Sequence, residues 1–290
     1  MEWKRMLSTI PPLVLITLVI ATSPSSYAFE GNESVTIRFV NSTPVIDGIV
    51  TTPEEWSKAA IFLIDGGDVQ VRAMHNNQLL SLIVSFNADM TNNAGDSVLI
   101  CIDSRNDGGS AWKSDDYCFG LIVTDTRFLS WLFFIGKGTG NEFSLLANPQ
   151  ITTGASSGVS FSNGGFSGRD HRVYEMSIPI DSLRSDAESY GLSIYVYDAD
   201  NGTTKFWPEK AVPASHGCFS SGQQSAPPPD IKYCPSLPNA WGNLVSTNKI
   251  PEFPFPVAMI TLAGMMPLVL IIMRRKTSLE TRWHERPSIL

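Results

Sequence analysis

The sequence predicts an all-β fold, a two-sheet antiparallel β-sandwich of jelly-roll or immunoglobulin-like type, set between two hydrophobic chain ends. Three observations carry that expectation. Between the ends, apolar residues recur with a period of two in short runs rich in Val, Ile, Leu, Phe and Tyr, the pattern of strands with one buried face. Gly, Pro, Asn, Asp and Ser gather between the runs, where turns need them. No long amphipathic helical pattern appears before the C-terminal end. Sheets with an apolar face must bury it, and two sheets packed face to face do so.

The elements follow in order. Lys4 and Arg5, the apolar run Leu13 to Ile20 and the small residues ending Ser26-Tyr27-Ala28 form a secretory signal peptide over residues 1–28. That apolar run is too short for a membrane span. Residues 29–249 are then the extracellular domain. Its strands are expected at Thr36 to Phe39, Val69 to His75, Leu80 to Phe86, Val98 to Asp103, Tyr117 to Val123, Phe128 to Ile135, Tyr174 to Ile178, Leu192 to Asp198 and Trp241 to Ser246. Asn76-Asn77, tolerant of positive φ, suits a hairpin turn after the second of these. Pro53 to Ala59 reads as a helical turn and the glycine-rich Gly154 to Gly168 as a loop.

The linker 250–256 carries Pro251, Pro254 and Pro256, which hold the chain extended. The uncharged run 255–273 follows, and as a helix it spans about 28 Å, one transmembrane crossing. Arg274, Arg275 and Lys276 place the tail 274–290 in the cytoplasm. The expected location is the cell membrane, single-pass, with the large domain extracellular.

Composition narrows the function classes. A net charge of −7 without a basic stripe excludes nucleic acid as a partner. The 4 cysteines lie outside the cell in this topology, where disulfides are the rule. Three pairings remain open on counting alone. Cys218 and Cys234 bracket a Ser, Gln and Pro-rich loop, and Cys101 and Cys118 fall on adjacent strand-like runs, so each pair is expected to close on itself. Asn32, Asn41 and Asn201 open N-glycosylation triplets. His75, His171 and His216 are scattered, His284 lies in the tail, and no nucleophile elbow, zinc-protease helix or phosphate loop is present, so the chain reads as no enzyme.

Several segments together resemble a known family. Pro44-Val-Ile-Asp-Gly48, Glu55-Trp56 with Ala59, Leu79 to Phe86, Asp96 to Asp103, Asp116-Tyr117, Tyr174 to Ile180 with Leu183, Tyr197 to Asn201 with Trp207, and Trp241-Gly-Asn-Leu244 stand in the order seen in family 9-like carbohydrate-binding modules, a group related to the DOMON β-sandwiches. The resemblance spans about residues 36–248. It implies a non-catalytic module that binds a polysaccharide or other glycan, often with calcium, and it makes Trp56 and Trp241 core residues. The wider group includes haem b electron-transfer domains with Met and His or Lys axial ligands. Met74, His75, Met90, His171 and Met176 are available here, without a CxxCH attachment site. A structural or adhesive surface domain with no small ligand is the remaining alternative. Pro251-Glu-Phe-Pro254, the span and the basic cluster also resemble the archaeal PEF-type C-terminal sorting signal, although the tail after Lys276 is longer than such tags carry.

The stretch ICIDSRNDGGSAWKSDDYCF, from Ile100 to Phe119, concentrates the site candidates. Pairing Ser97 to Asp103 antiparallel with Asp116 to Val123, with the loop centred between Gly109 and Ser110, sets Cys101 opposite Cys118 and Asp103 opposite Asp116. Two carboxylates so placed call for a cation or a donor between them. Asp103, Asn106, Asp107 and Asp116, with Asp115 nearby, form an oxygen set suited to calcium, although these residue types are also ordinary turn formers. Trp112 at the loop tip is either an exposed stacking face for a sugar ring or a side chain folded back over the sandwich end. Trp131 reads as core. Trp207, after the oxygen-rich Asp198-Ala-Asp200-Asn201 turn, is a further ligand-binding candidate.

Overall fold

The computed structural model describes residues 33–247, apart from 53, 129, 166, 184–188, 215, 216 and 222–230. The expected signal peptide, Asn32 of the first glycosylation triplet, the linker, the transmembrane run and the tail lie outside the described residues. Among the described residues, no helix is long and apolar enough to cross a membrane.

Strands dominate, as the period of two requires. In chain order they are β1 Ser34–Phe39, β2 Ala60–Ile64, β3 Val69–His75, β4 Leu79–Phe86, β5 Ser97–Asp103, β6 Asp116–Asp125 and β7 Ser130–Gly138. Then come β8 Phe143–Leu145, β9 Ser156–Ser162, β10 His171–Pro179, β11 Ser189–Asp198, β12 Thr203–Trp207, β13 Phe219–Ser220 and β14 Gly242–Ser246. Two short helices interrupt them, α1 Pro149–Thr153 and α2 Ile180–Leu183.

The strands form one hydrogen-bonded array, β13-β8-β7-β6-β5-β11-β14-β1-β3-β4-β10-β9, with β12 beside β11 and β2 beside β3. The array turns over at β1 to make two layers. Ser34 to Ile37 pair with Asn243 to Ser246 of β14, whereas Arg38 and Phe39 pair with Met74 and His75 of β3. Inward rows of both layers meet in one core: Val71, Leu82 and Met176 from β3, β4 and β10 join Ile100, Phe119, Ile135 and Ile194 from β5, β6, β7 and β11. The sandwich is therefore as expected, but not wholly antiparallel. β1 runs parallel to both neighbours and β13 parallel to β8. No hairpin joins these strands, so connection length imposes no antiparallel pairing on them.

Outer faces are covered too, which the sequence reading did not anticipate. Every residue of β5 is buried because Leu99 and Cys101 face a second core, made with Ala211, Tyr233, Cys234 and Trp241 of the long connection before β14. Cys218 and Cys234 close that connection in a disulfide, as expected. On the other layer, Val40, Trp56 and Ala59 cover Met74, Ile83 and Val173.

This second cover explains the Asp-Gly and Glu-Trp signatures near the start of the domain. Fully buried Glu175 on β10 accepts hydrogen bonds from Gly48 N (2.8 Å), Asp47 N (3.2 Å) and the Trp56 indole (3.1 Å). Glu55 repeats the device, accepting from Val45 N at 2.8 Å and Thr51 N at 3.2 Å. Burial pushes the Glu175 carboxyl up to about 7 against the pull of those donors. Glu175→Ala would strand three donors, of which the two buried ones, Gly48 N and the Trp56 indole, each cost roughly 1–3 kcal/mol when unpaired. A loss of at least about 2 kcal/mol in urea unfolding is expected, and an unchanged midpoint would rule the clasp out as a stabilising element.

Local expectations are corrected in four places. The glycine-rich segment contains β9, paired along β10 from His171↔Ser162 to Ser177↔Ser156. Its glycine is a packing requirement, since a Cβ on Gly158 would lie 2.2 Å from Gly48 N. The β3–β4 turn does not use positive φ at Asn76 or Asn77. Instead the Asn76 side chain accepts from Gln78 N and Leu79 N, both at 2.7 Å. Phe128 belongs to the turn before β7 and is 81% exposed. The expected helical turn before β2 is a run of tight turns, with Glu55, Ser57 and Ala59 N–H groups reaching back three residues.

Candidate cation centre and ligand clefts

The β5–β6 hairpin has the register that the sequence predicts, Cys101↔Cys118 and Asp103↔Asp116. The two cysteines form a disulfide with Cα atoms 4.0 Å apart. Beyond it the loop folds inward. Asp103, almost fully buried, accepts from Arg105 N at 3.1 Å and Gly108 N at 2.8 Å. Left-handed backbone at Asn106 and Gly108 makes that tight return possible. Asp103, Asp107 and Asp115 each present an oxygen, all within 4.8 Å of one another.

Asp116 lies at the base of this group, fully buried, with one oxygen accepting from Lys113 N at 2.5 Å. Its other oxygen, Asp115 Oδ2 and Ser104 Oγ are buried without a hydrogen-bond partner among the described residues. Arg105 Nε lies 3.8 Å from Asp115 Oδ2. Burial, with the Asp103 charge adding, pushes the Asp116 carboxyl up to about 8. Burial also raises Asp103. Lys113 supplies one positive charge, its Nζ 2.7 Å from both Asp107 Oδ1 and Gly108 O.

Orphaned buried oxygens and an all-oxygen donor set fit a hard cation such as calcium. Asp103, Asp107 and Asp115 would hold it, with Asp116 beneath. Asn106 stands apart, its amide donating to Ser189 Oγ at 2.8 Å and Asn243 Oδ1 at 2.9 Å, so it ties the loop to β11 and β14.

Trp112 takes the folded-back course. It is 8% exposed, stacks near Phe143 with ring centroids 5.1 Å apart, and donates its indole N–H to Ser236 O at 3.1 Å. Ser236 O also accepts from the Trp241 indole at 3.0 Å. The long connection before β14 thus removes Trp112 from the surface, which no local pattern encodes.

Open clefts lie elsewhere. One of about 440 Å³ is formed by β2 and β12 and lined by Trp207, Phe206, Lys205, Asp65, Glu33 and Glu209 with their neighbours. Trp207 is largely buried, packed on Phe62 with centroids 5.1 Å apart. Lys205 bridges to Asp65 and, at 2.8 Å, to Asp68. A second cleft of about 300 Å³ is lined by Trp131, Phe133, Asn148, Pro149 and Gln150. Trp131 is thus a half-buried edge residue as well as a core neighbour, signalled only by its place at the start of β7. A third, of about 460 Å³, lies over Ile122, Leu132, Tyr197 and Lys232 on the outer face.

The Asp198 turn is closed on itself: Asp198 accepts from Asp200 N (2.9 Å), Asn201 N (3.2 Å) and the Asn201 amide (2.6 Å). Asn41 and Asn201 are both exposed. Beneath the turn, buried Arg172 donates to Asp96 at 2.9 and 3.2 Å, and Asp96 also accepts from Ala199 N at 3.1 Å. Among the haem-ligand candidates, the two described histidines do not converge. His75 pairs with Leu80 while His171 precedes Arg172, the partner of Phe86. At about 3.3 Å per residue along β4, roughly 20 Å separates those levels. Met74 and Met176 lie in different cores, and Met90 is exposed.

Fold and site together define a two-layer β-sandwich with a carboxylate-lined hairpin loop and open clefts between its strands. No protein-family model matches the chain, and no curated protein matches it. Among solved structures it is similar to a family 9 carbohydrate-binding module from Caldicellulosiruptor kristjanssonii in complex with cellotriose, at 13% identity and a TM-score of 0.45, covering 77% of this chain and 100% of that one. The module in complex with glucose is similar at 13% identity and a TM-score of 0.44, with the same coverage.

Proposed function

We propose that the protein is a non-catalytic glycan-binding protein of the cell surface, anchored by its C-terminal span, with calcium held in the β5–β6 loop. The observation that supports it best is the cleft over Trp207 and Phe206, where an aromatic floor meets the carboxylates of Glu33, Asp65 and Glu209 and the Lys205 ammonium. Apolar faces of sugar rings pack on aromatic side chains, and charged groups make the stronger hydrogen bonds to hydroxyls. Calcium in the loop would fix Asp103, Asp107 and Asp115 and stiffen the hairpin, leaving sugar contact to the cleft.

A glycan array read with and without chelator tests the reading. Exposed Glu209 changed to Ala should weaken the best hit about tenfold, the worth of one charged hydrogen bond, without moving Tm. Trp207→Ala should abolish binding. Retention of no glycan by the unmodified chain, with calcium present, would sink the reading.

A further inference from the structure

We infer that the cleft over Trp131 is a second saccharide subsite, one that takes a neutral pyranose unit, so that glycan is held at both open edges of the sandwich. The inference rests on the glycan-binding reading and adds where, and what kind of unit, a second contact is made.

Trp131, Phe133 and Ile135 form the inward row of β7. Phe133 and Ile135 are buried, whereas Trp131 is half-exposed. It sits where β7 faces β9, the last strand of the opposite layer, and its indole N–H points to Ser157 Oγ at 3.4 Å. With its polar handle directed at the protein, the ring offers an apolar surface to the cleft.

The facing wall is polar but uncharged. Asn148 and Gln150 are exposed carboxamides, each with donors and an acceptor, as a sugar hydroxyl requires of its partner. Asn148 precedes helix α1 at the position where Asn usually caps, yet its side chain makes no capping bond. Its backbone is left-handed, φ 46°, a conformation that costs energy outside glycine and gathers at ligand sites. Pro149 follows and fixes the turn.

Size and charge set the ligand class. The cleft's volume of about 300 Å³ lies at the low end for small-molecule sites. Among the described residues its lining has no ionisable side chain, in contrast to the Trp207 cleft. A uronate or amino sugar gains nothing here over a neutral hexose. Within one layer, β7 and β12 are separated by β6, β5 and β11, which at about 4.8 Å per strand puts roughly 19 Å between them. A glycan long enough to reach both clefts would bind with the gain of an intramolecular second contact.

The full chain in detergent, carrying Glu209→Ala to weaken the first cleft, is titrated calorimetrically with glucose, galactose, mannose, N-acetylglucosamine and glucuronate. At least one neutral sugar should still bind, and no tighter response to glucuronate should appear. Adding Trp131→Ala should reduce that binding by about tenfold or more, and Gln150→Ala by about fivefold. Gln150 is exposed, so its variant should keep its Tm and separates lost contact from lost fold. Neutral-sugar binding unchanged by both cleft variants overturns the inference and leaves the glycan reading standing. If no sugar binds even the unmodified chain, the glycan reading fails and this inference with it.

Discussion

Replacement of Arg172 by alanine is expected to remove roughly 3–5 kcal/mol of stability, a fall in Tm of roughly 10–15 °C for a domain of this size. The side chains of Arg172 and Asp96 are 0% and 1% exposed, with nitrogen and oxygen 2.9 Å apart. The guanidinium also reaches the Asn92 side chain at 2.8 Å and Asn93 O at 3.2 Å, and lies over the Phe161 ring. Without it Asp96 keeps a buried charge near Asp89, which burial and the Asp96 charge already push up to about 6. Burial raises Asp96 too, while Ala199 N and Arg172 pull it down. The deficit should therefore be larger at pH 8 than at pH 5, because acid lets Asp96 discharge. Converting the pair together, Arg172→Met with Asp96→Leu, should recover part of the loss but not all, since Ala199 N loses its acceptor. Thermal unfolding at the two pH values checks each statement, and an Arg172→Ala protein as stable as the parent would show that the pair does not hold the loop after β4.

The second large effect couples pH to metal. Burial, the first cause in each case, pushes the carboxyls of Asp116, Glu175 and Asp89 up to about 8, 7 and 6, all above their ordinary values. A carboxyl raised on folding favours the folded state fully below its ordinary pKa, and that contribution is lost as pH climbs through the raised value. In chelator, Tm should fall steadily between about pH 4 and pH 8. A cation among Asp103, Asp107 and Asp115 favours the ionised forms and opposes the fall. Millimolar calcium should raise Tm by several degrees at pH 8 and hardly at all at pH 5. Asp116→Asn should lift the chelated protein at pH 8 and shrink the calcium response. A Tm at pH 8 indifferent to calcium would remove the cation from the loop.

The hairpin that carries these carboxylates was legible because both determinants are local. A symmetric count from the loop centre sets the register, and cysteine at matching positions agrees with it. β3 and β4 were equally plain, since alternating apolar residues leave one face to bury. What the sequence hid depends on distant chain. β9 carries a glycine, Gly158, because the backbone of Asp47 and Gly48 lies against it and leaves no room for a side chain there. The inward turn of Trp112 depends on Ser236, and the half-open state of Trp131 on where β9 passes β7. Covered outer faces also masked the alternation in β5 and β6, where nearly every position is buried.

β1 and β14 lie side by side and run the same way, Ser34 level with Asn243 and Ile37 level with Ser246. The domain's chain ends therefore leave that pair from opposite tips. Tension applied along the chain between these two strands slides them past each other, so their hydrogen bonds share the load at once and none can be peeled off first. In this respect the first and last strands of the described domain form a shear clamp.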